Sequence, residues 1–551
     1  MGTRSIGDRA TTNGRRVDGA DAFSFSFSRV ARVLLLLTSC LCLGWPCSVL
    51  VPVHGRHHPN GGNAAHLTPN GEERLIGWKG ETHSVAAASR AALLAKMDLG
   101  STGACDLSGP GGDLEGAPLV MSSSAGTMGS QVAHPGEWVS RYDAVSATSV
   151  ASVPLNYKHM AMIERLRNGS LALAWQTAPK IEGDARQHIV LTFAHPAPVA
   201  ETRAGTPFLR WGEASRVEAI GEAVGEGAQA GKQGALWGPA LLNDPTPGRE
   251  HVLWLFYAES RGGCGSRVPG MDWAPGGDLK VTSLDLRTGR WTAPRLVLSQ
   301  DADGGVPKVT ANKPAVLSNG HWVLPYWRER AMLAKDGEAC EAMRGGEGAG
   351  VVISEDGGAT WKAHGNIKHP TTWLIENAVA ELSTPRRLIM VFRTRVGSIF
   401  QSRSNDGGRT WSEASPLGMP PMPNPNAKID LIRLDLGPRG GHKLALVFND
   451  HKKQSRASLP GCSRCRSVLR VALSGDDGEH WDRVATVEDE VDHSLRIHYP
   501  TLTQRGCELL VAYSRFYKHD PPTEEAFGRQ GIRVARVPLI RLPTDLTDVD
   551  R

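Results

Sequence analysis

The octapeptide SNDGGRTW, residues 404–411, has the spacing Ser-x-Asp-x-Gly-x-Thr-Trp, and the chain repeats it. It returns as SEDGGATW at 354–361 and, more loosely, as SGDDGEHW at 474–481. In a turn of this composition the Asp accepts backbone N–H bonds, the glycines adopt conformations closed to other residues, and the Trp packs between strands. A general acid gains nothing from appearing at three separate turns, so the motif reads as framework. Its Trp positions set a period: 411 − 361 = 50 and 481 − 411 = 70. A weaker match, TGRWTAP, places Trp291 a further 361 − 291 = 70 residues upstream.

Between these turns lie short apolar runs closed by Gly, Asn, Asp or Pro: SLALAW, HVLWLFY, HWVLPYW, RLIMVFRTR, KLALVFND and ELLVAYSRF. Each reads as a strand, and long helical patterns are absent. Units of about 40 to 70 residues, each of several strands, predict an all-β fold, a six-bladed β-propeller with loop insertions. Its blades are expected to begin near positions 155, 235, 310, 374, 426 and 497 of a propeller covering 151–542.

The segment ahead of the propeller reads differently. Residues 1–32 form a cytosolic tail or n-region, and 33–53, VLLLLTSCLCLGWPCSVLVPV, contain no charge. That run suits a membrane-spanning signal anchor; Pro46 and the small residues near its end also suit a cleaved signal peptide. Residues 54–150, rich in Gly, Ser and Ala, read as a poorly ordered low-complexity linker. The expected location is the secretory pathway, with the propeller lumenal or extracellular, anchored in the membrane or secreted. Six of the nine cysteines lie beyond the apolar run and can form disulfides there. CSRC at 462–465 lacks a second Cys/His pair of matching spacing, so neither a metal nor another cofactor is expected. A formal charge of +5 with scattered Lys and Arg excludes nucleic acid as an expected partner, and NGS at Asn168 is a glycosylation sequon in a turn.

The three octapeptides resemble the Asp boxes, or BNR repeats, of the sialidase (neuraminidase) superfamily. The stretches NKPAVLSNGHWVLPYWRE, NPNAKIDLIRLD and VLRVALSGDDGEHW resemble the sialidase-like propellers of bacteria and plants, and the likeness covers Tyr157 to Pro538. It implies an exo-α-sialidase-like glycoside hydrolase acting on an acidic glycan. Such an enzyme holds a sugar whose carboxylate sits beside the anomeric carbon, which favours Arg forks in the site. A carboxylate nucleophile would be repelled there, whereas a Tyr phenol activated by a Glu is not. The resemblance places the Glu at Glu376 in IENAVAEL and the nucleophile at Tyr499 in YPTL. It places two carboxylate-binding arginines at Arg393 in VFRTRVG and Arg466 in RSVLRVALS.

The first blade departs from the family pattern. Where sialidases carry a Tyr-Arg-Ile-Pro type sequence, this chain has YKHM, so Lys158 takes the place of the first Arg and His159 follows. In KIEGDARQHIVL the acidic position falls on Arg186, and Asp184, two residues earlier and on the same side of a strand, becomes the expected general acid. Asn312, Asp430, Asn449 and Asp450 lie in family-like motifs at expected channel-facing ends as contacts for sugar hydroxyls. The altered blade leaves two other readings open: a propeller that binds acidic glycans without cleaving them, and a polysaccharide lyase acting on uronic acids.

Overall fold

The runs around LALAWQTA and LIMVFR are apolar at nearly every position, the pattern of strands covered on both faces. In the computed structural model both are buried along their whole length, as Leu171–Ala178 and Leu388–Arg393. The outer strand Phe400–Ser404 instead alternates between buried and half-exposed positions. The structure describes residues 134–141, 156–196, 209–217, 234–261, 266, 268–269, 271–330, 346–437, 441–451, 465–518 and 523–539.

These strands form six antiparallel sheets of four or five strands. The innermost strands begin at Tyr157, Leu236, Lys308, Ile375, Asp430 and Leu495. Blade six is closed from the other end of the chain. His134–Arg141 pairs antiparallel with Gly531–Pro538 and supplies the outermost strand. That strand falls inside the stretch read as linker, because HPGEWVSR has neither an apolar run nor clean alternation and takes its conformation from its partner. The apolar run 33–53 lies outside the described residues, and among the described residues no helix is long and apolar enough to cross a membrane.

The three octapeptides connect the third strand to the fourth in blades three, four and five. In the first, Ser354 Oγ accepts from the Gly358 N–H at 2.8 Å and Asp356 accepts from the Thr360 N–H at 2.9 Å. The second repeats this with Gly408 on Ser404 at 2.9 Å and Thr410 on Asp406 at 2.9 Å, while Trp411 Nε1 donates to Gly408 O at 2.8 Å. Gly408 has φ +94°, and a Cβ there would meet Leu388 at 3.2 Å. The third puts His480 where the others have Thr, with its N–H on Asp476 at 2.9 Å. Asp406→Ala removes the acceptor for Ser404 Oγ and for the Arg409 and Thr410 N–H groups. Chemical denaturation is expected to show a loss of about 2 kcal/mol.

Candidate active site

Four innermost strands carry a bulge at the same place. Register shifts fall between His159 and Met162, Trp237 and Ala240, Ile375 and Ala378, and His498 and Thr501. Within them Met160, Gly238, Glu376 and Tyr499 adopt φ of 54°, 55°, 50° and 55°. At Gly238 a Cβ would lie 1.7 Å from Thr310 O, so only glycine fits. For a glutamate and a tyrosine this backbone costs about 1–3 kcal/mol each and persists only where its surroundings impose it. Both side chains are buried.

A strut of polar side chains does the imposing. Asn312 Nδ2 donates to Glu376 O at 3.2 Å and Asn377 O at 3.0 Å. Lys428 Nζ, fully buried, donates to Asn312 Oδ1 at 2.7 Å and to Pro500 O, beside Tyr499, at 2.8 Å. One ammonium thus joins the two bulges. Burial pushes Lys428 down to about 8, against the pull of Asp430 and Glu376. Asn312→Ala leaves the Glu376 and Asn377 carbonyls without this donor and Lys428 without this acceptor, and chemical denaturation is expected to show a loss of about 2 kcal/mol or more.

The bulges bring three of the expected residues into one cluster. Tyr499 Oη donates to Glu376 Oε1 at 2.7 Å. Arg393 Nη1 lies 2.7 and 2.8 Å from the two Glu376 oxygens and 2.7 Å from Tyr499 Oη, and its Nε donates to Asn426 Oδ1 at 2.8 Å. Burial alone would lower the Arg393 guanidinium, and the charge of Glu376 with the hydrogen bonds to Glu376 and Tyr499 overcomes it, so Arg393 stays cationic. The Tyr499 phenol is pushed up by burial, with Arg393 opposing and Glu376 adding, so it keeps its proton at neutral pH.

Arg466 also lies over the Tyr499 ring. Its guanidinium carbon and that of Arg393 are each 5.8 Å from the Tyr499 ring centroid. Arg466 Nη1 donates to His498 Nδ1 at 2.6 Å and Nη2 to Asn426 O. The bond makes His498 Nδ1 an acceptor and leaves the proton on Nε2. The His159 ring centroid lies 4.0 Å from that of Tyr499 and 4.9 Å from that of His498. Burial first, then the charge of Arg466, holds both imidazoles well below their usual range, so both are neutral.

Lys158 is not part of this cluster. Its Nζ donates to Ser140 Oγ at 2.8 Å and to Arg141 O, on the strand that closes blade six. His159, the next residue on the alternating strand, points the other way, and a neutral ring occupies the place expected for a cation.

Asp184 does not face Tyr499 either. Residues 179–187 are turns, where two-apart residues need not share a side, and Asp184 pairs with the exposed Arg186, Nε to Oδ1 at 3.1 Å. A carboxyl whose charge does reach the cluster is Glu182, half-buried, which accepts from Gln176 Nε2 at 3.2 Å. Burial first, then the Glu376 charge, raises its carboxyl above the usual range, and its own charge acts on Tyr499. Glu329, receiving the Trp327 indole N–H at 2.6 Å, is pushed up to about 7 by burial, with Glu376 and Glu182 adding.

The expected sugar contacts turn inward to main chain. Asn312 belongs to the strut. Asp430 accepts from the Leu502 N–H at 2.7 Å, and Asn449 Nδ2 donates to Val468 O at 3.0 Å and Ile497 O at 2.8 Å. Asp450 pairs with Arg483 at 2.8 Å. All but Asp450 are buried; they tie neighbouring strands and blades together and do not line an open channel. Among the described residues no His/Cys/Asp/Glu group could hold a metal. Sequence reasoning missed Glu182, His498, Asn426, Lys428 and Glu329, although Glu182, His498 and Lys428 each stand within two residues of a position that it singled out.

Residues 169–510 match the family described as the BNR repeat-like domain. The chain belongs to that family. No curated protein matches it. Among solved structures, it is similar to the Hadza microbial sialidase Hz136, with 17% identity and a TM-score of 0.47, over 69% of this chain and 66% of that one. The sialidase of Trypanosoma rangeli in complex with sialic acid has 13% identity and a TM-score of 0.47, over 77% and 60%. A protein of unknown function from Dyadobacter fermentans has 14% identity and a TM-score of 0.46, over 70% and 95%. This chain therefore covers less than two thirds of the length of the first two.

Proposed function

We propose that this protein is a retaining exo-glycosidase of the sialidase type that releases a terminal acidic sugar. The observation that carries the proposal is the buried Tyr499–Glu376–Arg393 cluster, with both reacting side chains held on strained bulges. Tyr499 Oη attacks the anomeric carbon while Glu376, already bonded to the phenol, takes its proton. Glu182 gives its proton to the leaving oxygen; it then takes one from the water that cleaves the tyrosyl–sugar bond, and Glu376 returns the phenolic proton. A phenol carries no charge to repel the substrate carboxylate. That carboxylate is drawn by Arg393, whose Nη2 makes no hydrogen bond among the described residues, and by the charge of Arg466. Cys465 and Cys507 are each disulfide-bonded, which supports a lumenal or extracellular place for the propeller, with 33–53 as its targeting segment.

Hydrolysis of a fluorogenic sialoside as a function of pH tests this reading. The acid must be protonated to act, and a raised carboxyl holds its proton to higher pH. Turnover is therefore expected on the acid side and lost as pH rises through the Glu182 value. Glu182→Gln is expected to lose roughly 100-fold on a natural glycan and much less on an aryl sialoside, whose leaving group needs little protonation. Binding of acidic glycans without turnover would instead make the propeller a binding module. The contact of His159 with Tyr499 also suits a base pair for β-elimination, and release of unsaturated uronates would make the chain a lyase.

A further inference from the structure

Ile375 and Arg393 are register partners at the ends of their strands in blade four, and Trp373 and Arg395 lie two residues beyond them in the loops at that end, close to Glu376 in the chain. The Arg395 guanidinium lies over the Trp373 indole, 4.4 Å from its centroid, and the Arg395 N–H donates to Thr372 Oγ1 at 2.9 Å. Trp373 is half-buried and packs against the core, while Arg395 is exposed, and its guanidinium makes no hydrogen bond or ion pair among the described residues. A guanidinium held over an indole has given up much of its rotamer freedom before any ligand arrives. It keeps its edge donors in one plane, the geometry that matches a carboxylate or sulfate.

Blade six repeats the theme. Arg496 stands two residues outside His498 on the same strand, and its charge reaches Arg466, His159 and His498. Blades four and six thus each add a cation close to the Arg393 and Arg466 pair, Arg395 two residues along the chain from Arg393 and Arg496 acting on Arg466 by its charge. A glycan whose terminal sugar is held by the inner pair has its next unit within reach of such neighbours.

We propose that Arg395, stacked on Trp373, forms a subsite for an acidic group on the glycan next to the terminal sugar, so that the preferred substrate carries a carboxylate or sulfate on its penultimate unit as well. The proposal rests on the glycosidase reading above. Its test uses the full chain with Tyr499→Phe, which holds substrate without turning it over, and calorimetric titration with three glycans: sialyllactose, α2,8-linked disialyllactose and a sialyllactose sulfated on the penultimate sugar.

One or both of the doubly acidic glycans are expected to bind roughly tenfold tighter than sialyllactose, and which of them does so identifies the anion. Adding Arg395→Ala is expected to bring that ratio close to one, and Arg395→Lys, which keeps the charge without the fork, to leave an intermediate ratio. Equal affinities for all three glycans, or a ratio that Arg395→Ala does not move, would overturn the subsite and leave the glycosidase reading standing. Absence of sialyllactose hydrolysis by the unsubstituted chain, together with absence of binding by Tyr499→Phe, would overturn both.

Discussion

Tyr499→Phe is expected to lower kcat roughly 1,000-fold or more, about 4 kcal/mol in the barrier, while the protein stays folded. The substitution deletes one oxygen and leaves the ring among His159, His498 and the two guanidinium groups. Arg393 remains on both Glu376 oxygens, so no buried charge loses its partner. Backbone strain is unchanged, because phenylalanine at φ 55° is no easier than tyrosine. Stability measured by denaturation should therefore move by no more than about 1 kcal/mol. A Tyr that merely satisfied its hydroxyl in the core would show the reverse pattern, with activity kept.

Arg393→Met is expected to be the more damaging change to the fold. Glu376 would remain buried without its counter-charge, a loss of about 3–5 kcal/mol in stability. The Tyr499 phenol would rise further, since Arg393 is the charge that opposes its upward shift. Catalytic efficiency is expected to fall roughly 1,000-fold. A double variant separates the two effects: Arg393→Met with Glu376→Gln removes both charges and should recover much of the stability, with no recovery of turnover. Equal losses in stability for the single and double variants would show that the ion pair is not what the fold depends on at this place.

The propeller was legible because it is written in local signals. Blade starts expected near 155, 235, 310, 374, 426 and 497 compare with innermost strands that begin at 157, 236, 308, 375, 430 and 495. Apolar runs such as LIMVFR become strands buried on both faces, and the Ser/Asp/Gly turns join third strands to fourth. The closing strand His134–Arg141 was not legible, since its partner lies almost 400 residues away, as between Gly136 and Arg533 with a separation of 397.

Within the site, Glu376, Arg393 and Tyr499 are joined by hydrogen bonds and Arg466 lies over the Tyr499 ring. The bulges that aim them leave no mark in the sequence; one extra residue decides which way a side chain points. Lys158, expected to hold substrate, reaches Ser140 on the closing strand, while His159 packs on Tyr499. Asp184 failed because a strand rule was applied to a turn, and Glu182, in the same turn, is a carboxyl whose charge reaches the cluster. Asn312, Asp430 and Asn449 failed because composition cannot tell an amide that meets a sugar from one that meets a buried carbonyl.

The central claim, that Tyr499 is the nucleophile of a retaining glycosidase, is tested most directly by trapping. A sialosyl fluoride deactivated by fluorine at the adjacent ring carbon forms the covalent intermediate faster than water can clear it. Peptide mass spectrometry of the full chain is predicted to find the sugar on Tyr499, with no adduct in Tyr499→Phe and little in Glu376→Gln. Steady release of sugar from a sialoside with no adduct on Tyr499, or an adduct on another residue, would contradict the account.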